Sequence, residues 1–118
     1  MKKAYICSPY RAENTDDLNR NIAYAQELTK RAVDAGYAPI APHLYLTQCL
    51  DDSKDDERAA GMAIGAELLI LCDVMFVGDK YGISEGMTSE IALAKDHGIK
   101  MTALSPEIYA QQEKMLRL

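Results

Sequence analysis

The chain has 118 residues, of which 48% are hydrophobic and 26% charged, with a formal net charge of −5. That length can bury a core of its own and points to one domain over residues 1–118. The acidic balance argues against general affinity for nucleic acid polymers or anionic membranes, and no apolar run approaches the length of a bilayer span. Met1-Lys2-Lys3 leads directly into an apolar segment, not into a signal-peptide pattern. Cys7, Cys49 and Cys72 are odd in number and far apart. Cys7 and Cys72 fall in apolar segments, which reads as buried thiols in a reducing, cytoplasmic compartment.

Along the chain, Ala4 to Cys7 reads as a buried strand ended by Ser8-Pro9. Asn14 or Thr15 caps a helix with Asp16 and Asp17 in its first turn, where their charge complements the helix dipole. Leu18, Ile22, Ala25 and Leu28 recur at helical spacing, and Gly36 closes the element. Tyr37 to Ala41 is a short second strand; Pro39, which lacks an N–H for the ladder, places it at a sheet edge. Pro42-His43-Leu44 opens a loop, and Tyr45 to Leu50 forms a short helix. The acidic run at 51–56 is a solvated connection without the Gly and Glu placement of a calcium loop. Ala60, Ile64, Leu68 and Leu71 mark one side of the next helix, which delivers the chain to a strand at 73–77. After Gly82-Ile83, Ser84 caps a helix that stops at Gly98. A last strand runs from Ile99 to Leu104, and Ser105-Pro106 starts a C-terminal helix.

Strands alternating with helices predict a flavodoxin-like (Rossmann-like) α/β fold. It has a parallel sheet of four to five strands in the order 2-1-3-4, with helices on both faces. The first and third strands are then neighbours with crossovers on opposite faces, and ligands bind outside their carboxyl ends. The loops flanking that crevice are residues 8–14 and 78–85, so Ser8, Tyr10, Arg11, Ser84 and Glu90 face one pocket. The free N–H groups behind Ser84 favour an anion such as phosphate. Glu90 lies one turn beyond Gly86 on the same helix face, so its carboxylate borders open space. Tyr10 is placed to contact a base or sugar. Met62, Met75 and Met87 read as core or pocket lining.

Several chemistries lack their motifs. No G-x-G-x-x-G follows the first strand and no phosphate-binding G-x-x-x-x-G-K-[ST] occurs. His43 and His97 stand apart from the cysteines, so no zinc spacing exists, and there is no serine-hydrolase elbow. Neither a metal nor an organic cofactor is expected.

Three segments together resemble the nucleoside 2-deoxyribosyltransferase-like superfamily. They are Tyr5-Ile6-Cys7-Ser8-Pro9-Tyr10-Arg11, Cys72-Asp73-Val74-Met75-Phe76-Val77 and Ser84-Glu85-Gly86-Met87-Thr88-Ser89-Glu90-Ile91-Ala92, followed by Gly98-Ile99-Lys100. The resemblance spans roughly residues 4–104 and implies cleavage of an N-glycosidic bond by transfer or hydrolysis. Glu90 matches the glutamate that attacks the anomeric carbon. Ser84-Glu85-Gly86 resembles the Ser-x-Gly of the branch that hydrolyses nucleoside 5′-monophosphates, whose serine contacts phosphate. Arg11 and His43 match an arginine and a histidine of that branch. Small bacterial and phage members of the superfamily share the Ser-x-Gly-Met pattern. One departure stands out. The active enzymes carry an aspartate about eight residues before the Asp-Val of the third strand, and here Gly65 occupies that place; Glu67, Glu57 and Asp56 lie out of register.

The function implied is an N-glycosidase acting on a (deoxy)nucleoside 5′-monophosphate. Glu90 is the nucleophile, with Tyr5 orienting it. Ser8, Tyr10, Arg11, His43, Ser84 and Gly86 form the substrate site. The alternatives are a non-catalytic nucleotide-binding or sensing protein on the same fold and a deoxyribosyltransferase. The expected partners are a small nucleotide or nucleoside and further copies of the chain in a homodimer or larger assembly. Nucleic acid polymers and membranes are not expected as partners.

Overall fold

The structure is a computed structural model and describes residues 1–103. The elements run β1 (Lys3–Cys7), α1 (Thr15–Asp34), β2 (Ala38–Ile40), α2 (Asp55–Leu69), β3 (Val74–Val77), α3 (Glu85–Asp96) and β4 (Lys100–Ala103). The four strands form one parallel sheet in the order β2-β1-β3-β4, the flavodoxin-like winding the sequence predicts. β1 is central, with Tyr5 opposite Ile40 of β2 and Met75 of β3. β2 lies at the edge, where the missing N–H of Pro39 costs no ladder bond. The helix expected from Ser105 lies outside the described residues, as does Leu104 of the last strand.

Alternation along β1 divides the core. Ala4 and Ile6 pack with Phe76 against Tyr24, Leu28 and Ala32 of α1. Tyr5 and Cys7 point to the opposite face, among Leu69, Met75, Met87 and Ala94 from α2, β3 and α3. Both faces of β1 are therefore dry, as a parallel sheet requires. α1 starts where Asn14 accepts a hydrogen bond from the Asp17 N–H at 2.7 Å. The chain leaves α1 through Gly36 at φ 89°. Gly78 marks a close approach at the end of β3, because a Cβ there would run into Leu28 and Tyr24 of α1. Tyr24 also accepts a hydrogen bond from the Lys80 N–H at 3.2 Å, which ties down the loop leading to α3.

Two expectations are corrected. The segment expected as a short helix at 45–50 forms only a 3-10 turn at Leu46–Gln48, and the expected loop before it contains another at Pro42–Leu44. The apolar side read for α2 is not its buried side. Gly65 and Leu69 are buried, whereas Ala60, Ile64 and Leu71 are exposed. The physical reason is that glycine carries no hydrophobic signal, yet its bare backbone is what lets this helix approach Tyr5. Of the three methionines read as core or pocket lining, Met75 and Met87 are core residues and Met62 lines the cleft.

Candidate active site

β1 and β3 carry the chain away in opposite directions at their carboxyl ends, and a cleft of about 570 Å³ opens there. Ser8, Tyr10 and Arg11 line it from the loop after β1. His43 lines it from the first 3-10 turn, and Ser84, Gly86 and Glu90 from α3. Tyr5 reaches it from β1 itself. Every residue assigned to the catalytic and substrate site from the sequence thus borders one space. Their surroundings differ from one another in ways that matter chemically.

Glu90 lies at the protein-facing side of the cleft, its side chain 19% exposed. Oε1 lies 3.3 Å from His43 Nε2, while Oε2 is buried without a hydrogen-bond partner among the described residues. A buried carboxylate oxygen without a partner carries an unmet desolvation cost, which the neighbouring protonated groups reduce. Two protonated neighbours stand behind it. Burial, and then the charge of Glu90, hold the Tyr5 phenol far above its usual range, so Tyr5 remains an O–H donor beside the carboxylate. Burial and Glu90 push the Cys7 thiol up in the same way, so Cys7 adds no competing negative charge.

His43 is fixed from two sides. Its carbonyl accepts a hydrogen bond from Thr47 Oγ at 2.6 Å, and its ring stacks on Tyr10 with centroids 5.7 Å apart and planes 12° from parallel. Tyr10 therefore spends its aromatic face on His43 in this arrangement. Ser84 caps α3, its Oγ accepting from the Met87 N–H at 3.3 Å, which leaves its own O–H free to donate. A Cβ added at Gly86 would meet nothing within 4 Å, so the approach to the first turn of α3 is open. Ser8 is buried at the end of β1.

Arg11 pairs with neither Glu13 nor Asp17, its neighbours in sequence. Its Nε meets Asp52 Oδ2 at 3.1 Å across the cleft mouth. Of the three acidic residues considered as stand-ins at Gly65, Glu57 lines the cleft, while Asp56 and Glu67 are exposed. Gly65 itself is buried, and a Cβ there would lie 3.3 Å from Tyr5 Oη. The place of the expected aspartate is thus filled from the other side by a phenol.

Sequence reasoning missed Asp52, Arg58 and Asn21. Asp52 was hidden in an acidic run, and Arg58 in a helix read from its apolar positions alone; both line the cleft. Asn21 is 2% exposed and donates from Nδ2 to the carbonyls of Tyr10 at 3.2 Å and Arg11 at 3.5 Å. A signal existed, since Asn21 sits between Leu18 and Ala25 on the inward stripe of α1, where a polar residue needs a buried partner.

The sequence model of a family described as "Domain of unknown function (DUF7768)" matches residues 2–104. The chain belongs to the DUF7768 family. No curated protein matches this DUF7768 chain. Among solved structures it is similar to a 2-deoxyribosyltransferase from the psychrotolerant bacterium Bacillus psychrosaccharolyticus, described as a biocatalyst for the synthesis of antiviral and antitumoral nucleosides. That likeness has a TM-score of 0.66 at 19% identity, over 88% of this chain and 72% of the other. At such identity the shared property is the fold.

Proposed function

We propose that this DUF7768 protein cleaves the N-glycosidic bond of a (deoxy)nucleoside 5′-monophosphate, with Glu90 as the nucleophile. The observation that carries the reading is the Glu90 carboxylate, held through Oε1 by His43 while Oε2 is buried and unpartnered beside an open cleft. The likeness in fold to a 2-deoxyribosyltransferase supports a nucleoside-type ligand at this crevice. In the first step a lone pair of the Glu90 carboxylate forms the bond to the anomeric carbon. The bond to the base breaks, and its electron pair leaves with the base, which takes a proton from water in the cleft. Water then attacks the glycosyl ester, returning the carboxylate and releasing the sugar 5-phosphate. Tyr5 and His43 orient the carboxylate, and Ser84, Arg11 and Ser8 hold the phosphate. Arg58 adds a second guanidinium to the cleft wall.

Gly65 favours a second reading, a nucleotide-binding or sensing protein. With no carboxyl at that position the departing base lacks a placed acid, a loss of typically a hundredfold or more in rate. A transferase between nucleosides is the third reading and predicts no gain in affinity from a 5′-phosphate. Incubation with nucleosides and their 5′-monophosphates, read by thermal shift and free-base release, separates them. Base release from monophosphates supports the glycosidase, and a shift without release supports the binder. Base exchange between unphosphorylated nucleosides supports the transferase.

We also infer a homodimer or larger assembly. Its support is exposed apolar surface on and just after α2, where Ile64 is 41% and Leu71 65% exposed. Sedimentation should show a multimer that Leu71→Glu shifts toward monomer; a monomeric wild-type chain would refute it. Among the described residues, no helix is long and apolar enough to cross a membrane.

A further inference from the structure

We infer that the Arg11–Asp52 ion pair is a strap across the cleft mouth that a ligand's phosphate must displace, which makes Asp52 a specificity-determining residue. The inference rests on the nucleotide reading of the same cleft.

Both partners line the cleft, and each is presented by a loop fixed from behind. On one side, Asn21 holds the carbonyls of Tyr10 and Arg11 from within α1. On the other, Asp51 Oδ1 accepts hydrogen bonds from the Ser53 N–H at 3.0 Å and Ser53 Oγ at 2.6 Å, forming an Asx turn. The Asp51 N–H in turn donates to Glu57 Oε1 at 3.3 Å, which joins that turn to the first turn of α2. Arg11 and Asp52 therefore meet because two built loops aim them at each other over the opening.

The strength of the pair decides its role. The Arg11 side chain is 60% exposed and that of Asp52 36%, so water screens their attraction and the net contribution of such a pair is small. A phosphate monoester dianion binds a guanidinium through two parallel hydrogen bonds and carries more charge than a carboxylate. It therefore takes Arg11 from Asp52, whose carboxylate turns to solvent on its exposed side. A neutral nucleoside offers nothing to exchange and leaves the strap closed. Asp52 thus lowers the affinity for every anion at Arg11, and a dianion is the ligand best able to win the guanidinium from it.

The test is equilibrium titration of wild type, Asp52→Asn, Arg11→Gln and the double variant. The ligands are the common 2′-deoxynucleoside 5′-monophosphates and the matching nucleosides, with KM as the readout for any compound turned over. Asp52→Asn is expected to tighten monophosphate binding about three- to tenfold and to leave nucleoside binding within about twofold. Arg11→Gln is expected to abolish the preference for the phosphate, and the gain from Asp52→Asn should vanish in that background. Monophosphate binding by wild type that Asp52→Asn leaves unchanged or weakens overturns the strap and leaves the functional reading standing. Failure of wild type to bind any monophosphate overturns both. Unfolding midpoints close to wild type show that the variants fold.

Discussion

Gly65 and Tyr5 should be energetically coupled, and the coupling can be worked from the structure. Replacing glycine by alanine inside a helix ordinarily stabilises by about 1 kcal/mol. At Gly65 the new Cβ would sit 3.3 Å from Tyr5 Oη, tighter than ordinary contact, and Tyr5 is 1% exposed with the Glu90 carboxylate beyond it. The phenol cannot swing away, so overpacking of roughly 1–3 kcal/mol cancels or exceeds the helical gain. Removing the hydroxyl removes the obstacle. In a Tyr5→Phe background, Gly65→Ala should therefore stabilise by about 1 kcal/mol, giving a coupling of about 1–3 kcal/mol. Urea unfolding of wild type, both single variants and the double variant measures this directly. Thermal unfolding of the same proteins should show it as a Tm difference of roughly 4 °C per kcal/mol. Additivity within about 0.5 kcal/mol would refute the placement of the Tyr5 hydroxyl against α2, and with it the explanation for a glycine at this position.

Further outcomes follow from the same contacts. Asn21→Leu keeps the side chain's size but leaves the Tyr10 and Arg11 carbonyls without their donor. It should cost about 1–3 kcal/mol in urea unfolding and weaken binding of phosphorylated ligands; unchanged values of both would contradict the pinning of that loop. Stability should fall at alkaline pH. Burial pushes the Cys72 thiol up from 9.0 to about 11 and raises Cys7 and Tyr5 as well. Between pH 9 and 11 the unfolded chain sheds protons that the folded chain retains, so the stabilisation present below pH 9 is lost as pH rises through the folded values. Denaturant midpoints that stay flat or rise from pH 8 to pH 11 would contradict this.

The winding was legible because β1 and β3 are short apolar runs separated by helical patterns with recognisable ends. Asn14, Ser84 and Gly36 act at those ends as their chemistry dictates. From that winding alone, Ser8, Arg11, Ser84 and Glu90 had to meet at one crevice, and they do. The buried side of α2 was not legible. Its inward positions include Gly65, and a glycine that permits close approach is indistinguishable by hydrophobicity from one that merely weakens a helix. The partner of Arg11 was invisible for a different reason. Asp52 stands in an acidic run whose members look equivalent until the turn at Asp51-Ser53 fixes which carboxylate faces the cleft. The stacking of Tyr10 on His43 likewise depends on where two separate loops come to rest, which no local pattern encodes.

The most direct test of the central claim is free-base release from nucleoside 5′-monophosphates by wild type and by Glu90→Gln, which keeps the side chain's shape and removes its charge. Release by wild type, reduced at least about a thousandfold in a folded Glu90→Gln protein, is the result expected of a carboxylate nucleophile. Equal release by both proteins would contradict it, and the catalytic role assigned to Glu90 would have to be abandoned.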